Sequence, residues 1–375
     1  MKNKIYKKNI VYPWDILGYV KLSNKGKNKI LKSLINKHRF KSDIAKTLGV
    51  PDYWFHNFKR NDKIDTNTFG KIINLTKDNT LIKEIIQFND DKGSSSIPYL
   101  GKFPIKYDPF WHFIFCLSVG DGCIHKGDKK KFDWYQKPKG LKEMVKLINK
   151  LGFRYSPNIT TCKRGIVIPQ MIRKIGEYIT GLGTSYEIKE NIINTSSRLG
   201  RNYEIALLAA FFLDEAGMGT LKNNSEITLH QEGNLQFLEK IGVLLNRFNV
   251  RWSKNKKKDK WNIRLNTEGI IKLSELFESV KKYDITLLHR QKIFQEKVKI
   301  AEKTNYKFPL KLESKKIHDY LLNEHNDEIV TLDQIRKYYK SNYNVSTRSL
   351  KLINTMKKKG ELVNIDSAKY KIKKG

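Results

Sequence analysis

The sequence predicts an α+β chain built on a pseudo-symmetric, duplicated αββαββα domain flanked by mostly α-helical modules. Three observations carry this. Two apolar helical stretches, FIFCLSVGDGCI at 113–124 and AAFFLDEAG at 209–217, each end in acid beside glycine. After each stretch the apolar spacing changes from helical to alternating and back. Finally, Asn149–Ser156 aligns in letters with Asn246–Ser253, an offset of 97, while the glycines Gly122 and Gly217 lie 95 apart. Two landmarks with nearly one offset signal an internal duplication.

Taken in order, residues 1–90 read as a helical, helix-turn-helix-like domain. The stretch IYKKNIVY is a short strand or an arm, and Ile30, Leu31, Leu34 and Ile35 line one helical face. In Lys41–Arg60 a helix runs to the turn Leu48-Gly49-Val50. A second helix is expected from Pro51, which suits a first helical turn. Its exposed candidates are Tyr53, His56, Asn57, Lys59 and Arg60, set to meet bases or phosphates if the pair binds DNA. An ordinary helical hairpin is the plain alternative. Residues 91–108 read as a linker, with Asp90 to Ser96 flexible by composition.

The duplicated domain spans 109–280, with repeats at about 109–184 and 201–280. In the first, CIHKG and KFDWYQ read as strands, LKEMVKLINKLGF as an amphipathic helix, RYSPNI and GIVIP as strands, and MIRKIGEYITGLG as a helix. In the second, GTLKN and EITLHQ are strands, LQFLEKIGVLLNRFNV a helix, RWSKNKKKDK and WNIRLN a basic hairpin, and EGIIKLSELFESV a helix. Residues 281–312 connect to a module at 313–375. There IHDYLLNEH, LDQIRKYYKSNY and STRSLKLINTMKKKG read as three helices, the last capped by Ser346 or Thr347. LVNID and KYKIKK read as a terminal hairpin. Arg348, Lys351 and Lys357 to Lys359 would face phosphate if this is a winged helix, and a protein-contact module is the alternative.

Composition narrows the partner. The net charge is +35, from 73 Lys+Arg against 38 Asp+Glu, spread along the 375 residues. Aromatic residues make up 11%, which marks a folded chain with a basic surface rather than a disordered polycation. Such a field points to a phosphate-rich partner. Cys116, Cys123 and Cys162 lack a paired spacing, which argues against zinc and for reduced thiols. No stretch has the length of a membrane span, and MKNKIYKKN has no apolar signal core. The chain is expected to be cytoplasmic, away from membranes. Its wealth of Lys, Asn and Ile hints at an AT-rich prokaryotic or archaeal genome.

The acid–glycine helix ends resemble the LAGLIDADG homing endonucleases, in a two-motif, single-chain arrangement. The first copy is Ile114 to Gly122, where Leu117 and Gly122 keep the motif's identities. With Gly217 as closing glycine, the second is Ala209 to Gly217, where Ala210, Asp214 and Gly217 match. The resemblance implies two four-stranded sheets forming a saddle over double-stranded DNA, a monomer sufficing, and metal-dependent phosphodiester hydrolysis with Mg²⁺ or Mn²⁺. Hard oxygen ligands suit Mg²⁺, and one or two carboxylates suffice. Asp121 is the implied metal-binding and catalytic acid, with Glu215 as its catalytic partner and Asp214 as a further metal candidate beside Gly120, Gly122 and Gly217. The motif's letters put the second acid at Ala216, which has no ligand atom, and Val119 replaces an acid two positions before Asp121. Saddle contacts would come from Lys126, Lys129, Lys130, Lys131, Lys163 and Arg164 in the first half. In the second they would come from Lys222, Arg251, Lys254, Lys256, Lys257 and Lys258. Trp134, Tyr135, Trp252 and Trp261 lie among them, some as sheet core.

Three functions stay open on the sequence: an active endonuclease, a catalytically degenerate DNA-binding transcriptional regulator on the same scaffold, and an RNA-binding maturase. An intein is disfavoured, because no nucleophile follows a plausible splice start and the chain ends in Lys-Lys-Gly.

Overall fold

The computed structural model describes residues 9–37, 40–61, 63–90, 97–120, 122–124, 132–159, 165–181, 188–218, 226–230, 235–257, 260–286, 288–304, 318–321, 323, 329–335, 337, 349–366 and 369–372. The architecture is mixed α+β, with several small antiparallel sheets. Contacts divide the chain into Met1–Thr304 and Asn305–Gly375. No helix among the described residues is long and apolar enough to cross a membrane.

In the first unit, β1 (Ile10–Val11) precedes β2 (Tyr19–Leu22), α1 (Asn24–Lys37), α2 (Lys41–Leu48), α3 (Trp54–Arg60), β3 (Lys63–Asp65), α4 (Thr66–Thr76) and β4 (Ile85–Asn89). The strands β3-β2-β4 form an antiparallel sheet, an element absent from the sequence reading. Its one visible signal is β2, where Val20 and Leu22 point inward and Tyr19 and Lys21 do not. The α2–α3 pair follows the expected plan. Gly49 takes φ 65° and its N–H reaches the Ala45 and Lys46 carbonyls, closing α2. The second helix starts at Trp54, not Pro51, because residues 51–53 form a turn closed by Trp54 N–H to Pro51 O at 2.8 Å.

The stretch 97–108, expected as linker, is bonded to its neighbours and sends alternate side chains inward. Tyr99 and Phe88 exchange backbone hydrogen bonds of 2.8 and 2.9 Å. Leu100 N–H donates to Gly152 O and Arg154 N–H to Pro98 O. Tyr99, Phe103, Ile105 and Tyr107 enter the core, and β5 (Ile105–Lys106) pairs with β1. Large apolar side chains override the Pro and Gly punctuation. This clasp also accounts for RYSPNI, which forms no strand. Its backbone groups are taken by Pro98 and by Asn149, whose side chain both donates to Tyr155 O and accepts from Tyr155 N–H.

Then come α5 (Pro109–Gly120), β6 (Gly122–Ile124), β7 (Phe132–Tyr135), α6 (Pro138–Lys150), β8 (Gly165–Val167) and α7 (Gln170–Thr180). An unforeseen helix, α8 (Ile188–Leu199), follows. After it run α9 (Arg201–Asp214), β9 (Ala216–Gly217), β10 (Ile227–Leu229), α10 (Leu235–Arg247), β11 (Trp252–Lys257), β12 (Lys260–Leu265), α11 (Thr267–Ser279) and α12 (Leu288–Thr304). The segment GTLKN lies outside the described residues. The two sheets have the orders β6-β7-β8 and β9-β10-β12-β11. Helices α5 and α9 pack side by side at the centre. Both are apolar on nearly all sides, the mark of a helix enclosed by others, and every residue of α9 from Tyr203 to Asp214 is buried.

The second unit has its own core of Leu321, Val330, Ile335, Ile353, Met356, Leu362, Tyr370 and Ile372. Residues 318–321 and 332–335 are helical. Strand β13 (Ile329–Thr331), helix α13 (Ser349–Lys358) and strands β14 (Leu362–Asp366) and β15 (Lys369–Ile372) complete it. The sheet order is β13-β15-β14. The terminal hairpin was expected and β13 was not.

Candidate functional site

The C-terminal ends of α5 and α9 meet. A β-carbon added at Gly120 would lie 2.6 Å from Glu215 Oε1 and 3.6 Å from Asp214 Oδ2. Glycine there lets the second helix deliver two carboxylates against the end of the first. Each helix end also presents carbonyls without intrahelical partners and the negative end of its dipole. The site therefore gathers hard oxygen donors and negative potential. Asp214 is buried at 2% exposure, and Gln136, at the end of β7, donates to its Oδ1 at 3.1 Å. Gln136 thus ties one half of the molecule to the acid of the other. Asp121 lies outside the described residues.

Strand register relates the two helix ends. Gly122 pairs with Trp134, which pairs with Ile166. Ala216 pairs with Leu229, which pairs with Ile263. Trp134, Ile166, Leu229 and Ile263 are all buried. These ladders make Ala216 the counterpart of Gly122, and Glu215 precedes Ala216 in sequence as Asp121 precedes Gly122. The motif's letters expect the acid at Ala216 because they are aligned on Gly217. The backbone places the small-residue position one earlier. Gly217 is exposed in β9, paired with Thr228.

A cation stands beside this tip. Arg290, in the first turn of α12, donates from Nη2 to the Asp214 backbone carbonyl at 2.8 Å. The start of α12 is held by Glu143 of α6, which accepts the His289 N–H at 3.0 Å and also contacts its ring nitrogen. Sequence reading placed residues 281–312 as a connector and missed both. Among the described residues no group of three or more His, Cys, Asp and Glu side chains is placed to hold a metal ion.

At the other end of α5 is a buried polar chain. His112 is fully buried; its Nδ1 meets Tyr107 OH at 3.0 Å and its Nε2 meets Ser196 Oγ at 2.8 Å. Ser196 donates its own proton to Ile192 O. The imidazole then donates from Nε2 and accepts at Nδ1, a tautomer set by the network. Burial lowers its pKa to about 3, so it is neutral at ordinary pH. Burial likewise pushes the Cys116 thiol well up, so this cysteine is an inert packing group.

The predicted DNA contacts divide. Lys126, Lys129, Lys130, Lys131, Lys163, Arg164, Lys222, Lys258 and Arg348 lie outside the described residues. Of Lys256, Lys257 and Lys351 only the backbone is described. Arg251 is exposed but ion-paired with Glu268 at 2.5 Å. Lys254 lies with its ammonium 4.1 Å from the Trp261 ring centre and 3.9 Å from Glu239 of α10. That is the helix-covered side of its sheet. Strand alternation puts Thr228, Ser253, Asn255, Asn262 and Arg264 on the opposite side. Arg264 there pairs with Glu226. The sequence reading counted charges and so missed these mostly neutral hydrogen-bonding side chains. Alternation from the buried Trp261, Ile263 and Leu265 would have found them. Trp134 and Trp261 are sheet core, whereas Tyr135 is exposed and covers Gly165. Trp252 fits against Gly242 and bonds Asn246 at 2.8 Å. Tyr53 at the N-cap of α3 and His56, Asn57, Lys59 and Arg60 within it are all exposed, while Phe55 and Phe58 point inward.

No protein-family model matches the chain, and a comparison with curated proteins finds no match.

Proposed function

We propose that the chain is a site-specific, double-stranded DNA endonuclease of the LAGLIDADG type, acting as a monomer. One observation carries the reading: two enclosed helices bring their C-terminal ends together, and Glu215 precedes Ala216, the strand-register counterpart of Gly122. The sheet orders β6-β7-β8 and β9-β10-β12-β11 support a duplicated saddle, the second being the first plus one outer strand. The α2–α3 pair and the β13-β15-β14 unit support helix-turn-helix and winged-helix modules that lengthen the duplex contacted. The charge of +35 supplies the sequence-independent attraction, and the polar sheet face supplies hydrogen-bonding groups suited to base edges.

The donor set fits Mg²⁺ or Mn²⁺. Asp121 and Glu215, with Asp214 as a further oxygen donor, would hold the ion. When bound it supplies Lewis-acid chemistry at the phosphate. The protein's own groups orient the site: Gly120 permits the approach, and Gln136 fixes Asp214.

The test is cleavage of a randomised duplex library with Mg²⁺ or Mn²⁺, beside Asp121→Ala and Glu215→Ala. Cutting at a selected sequence, lost in both variants, is expected. Selective binding without any cut would leave a regulator on this scaffold, and preference for structured RNA would replace the reading with a maturase.

A further inference from the structure

We infer that Arg290 is a phosphate-orienting residue of the acidic tip, supplied by the helix that follows the duplicated domain. The inference rests on the nuclease reading and adds to it a residue outside both repeats.

The argument begins with charge. Two helix C-termini and the carboxylates of Asp214 and Glu215 converge at Gly120. A DNA phosphate brought there meets negative potential from every one of these groups. A divalent ion offsets part of it, but the ion is exchangeable and carries no fixed direction. A guanidinium is permanently charged and presents five N–H donors in a planar fork. Arg290 is half-buried, and its guanidinium spends one donor on the Asp214 carbonyl. Among the described residues it forms no ion pair with a carboxylate.

Its position is fixed from two sides. Glu143 caps the start of α12 through the His289 N–H, which anchors the backbone one residue before Arg290. The bond to Asp214 O then anchors the other end of the side chain. A cation held at both ends loses little freedom when a phosphate arrives. The carbonyl it engages belongs to the residue just before Glu215, so the same contact also sets the turn from which that carboxylate projects.

The experiment uses the full-length protein, with Arg290→Gln and Arg290→Lys beside the unaltered chain. Duplex affinity is measured for one fixed duplex across a salt series, and Mn²⁺ affinity is measured without DNA. Arg290→Gln is expected to flatten the slope of log K against log salt by about one. Mn²⁺ binding should tighten by roughly threefold to tenfold, since a unit charge a few ångströms away no longer opposes it. Arg290→Lys, which keeps the charge, should restore the salt slope. A merely structural role would lower both affinities together and leave the slope unchanged, which would overturn the inference. So would unchanged binding in Arg290→Gln with the fold intact by circular dichroism. If the unaltered protein binds neither duplex nor Mn²⁺, the nuclease reading falls and the inference with it.

Discussion

At Gly120 a missing side chain does the positioning. Gly120→Ala would bring a methyl within 2.6 Å of Glu215 Oε1. That oxygen is the far end of a flexible chain and can swing away. Stability should therefore change by less than about 1 kcal/mol, the scale of a local adjustment. On the proposed reading, metal-dependent cleavage should drop at least tenfold. A thermal melt beside a cleavage assay checks both halves of this expectation. His112 gives the opposite case, in which stability moves and chemistry does not. Its folded pKa of about 3 lies below the ordinary 6.5, so the unfolded chain binds its proton first. The neutral imidazole's contribution is whole above about pH 6.5 and is lost progressively as pH falls toward 3. The limiting slope is about 1.4 kcal/mol per pH unit. Urea unfolding at pH 7.5 and 5.0 should show a smaller loss for His112→Gln than for the unaltered chain. An equal loss would refute the assignment.

Among elements, α11 lies close against the backbone that leads into β11. A β-carbon on Gly269 would stand 2.0 Å from the Arg251 carbonyl. Backbone cannot yield as a side-chain tip can, so Gly269→Ala should cost about 1–3 kcal/mol, read as a shifted denaturant midpoint. Elements with a long period were legible in the sequence. Helices α6, α7, α10 and α11 repeat their apolar residues over several turns, and each was anticipated. The short strands β2, β3, β4, β5 and β13 were not, because two to five residues carry too little alternation, whereas β6, β7, β8, β10 and the β11–β12 and β14–β15 hairpins fall on segments read as strands. Helix α8 hid behind its small buried polar residues, Thr195 and Ser196, which break the apolar stripe formed by Ile192 and Ile193. The clasp at 97–108 was hidden by the reverse effect. Its prolines and glycine read as a loop, while its aromatic side chains go to the core. Of the site, the carboxylates were visible as letters. Their register was not, because it depends on which residues the strands pair. Arg290 was invisible, since only the packing of α12 on α9 brings it to the tip.

On the scale of the whole molecule, the two halves carry similar sheets but not identical acids. One half offers Asp121 and the other Glu215, a side chain longer by one methylene, and Arg290 bonds the residue just before Glu215. On the proposed reading each acid serves one DNA strand, and the two strands then meet unequal chemistry. A symmetric site breaks both strands at one tempo. Here the first cut should outrun the second, so a supercoiled plasmid bearing the target should pass through an open-circle stage before becoming linear. A gel time course showing linear product without that stage would count against unequal sites. The consequence extends to repair: an enzyme that pauses after one cut leaves a nick, which a cell can seal from its intact strand, where a clean break calls for recombination.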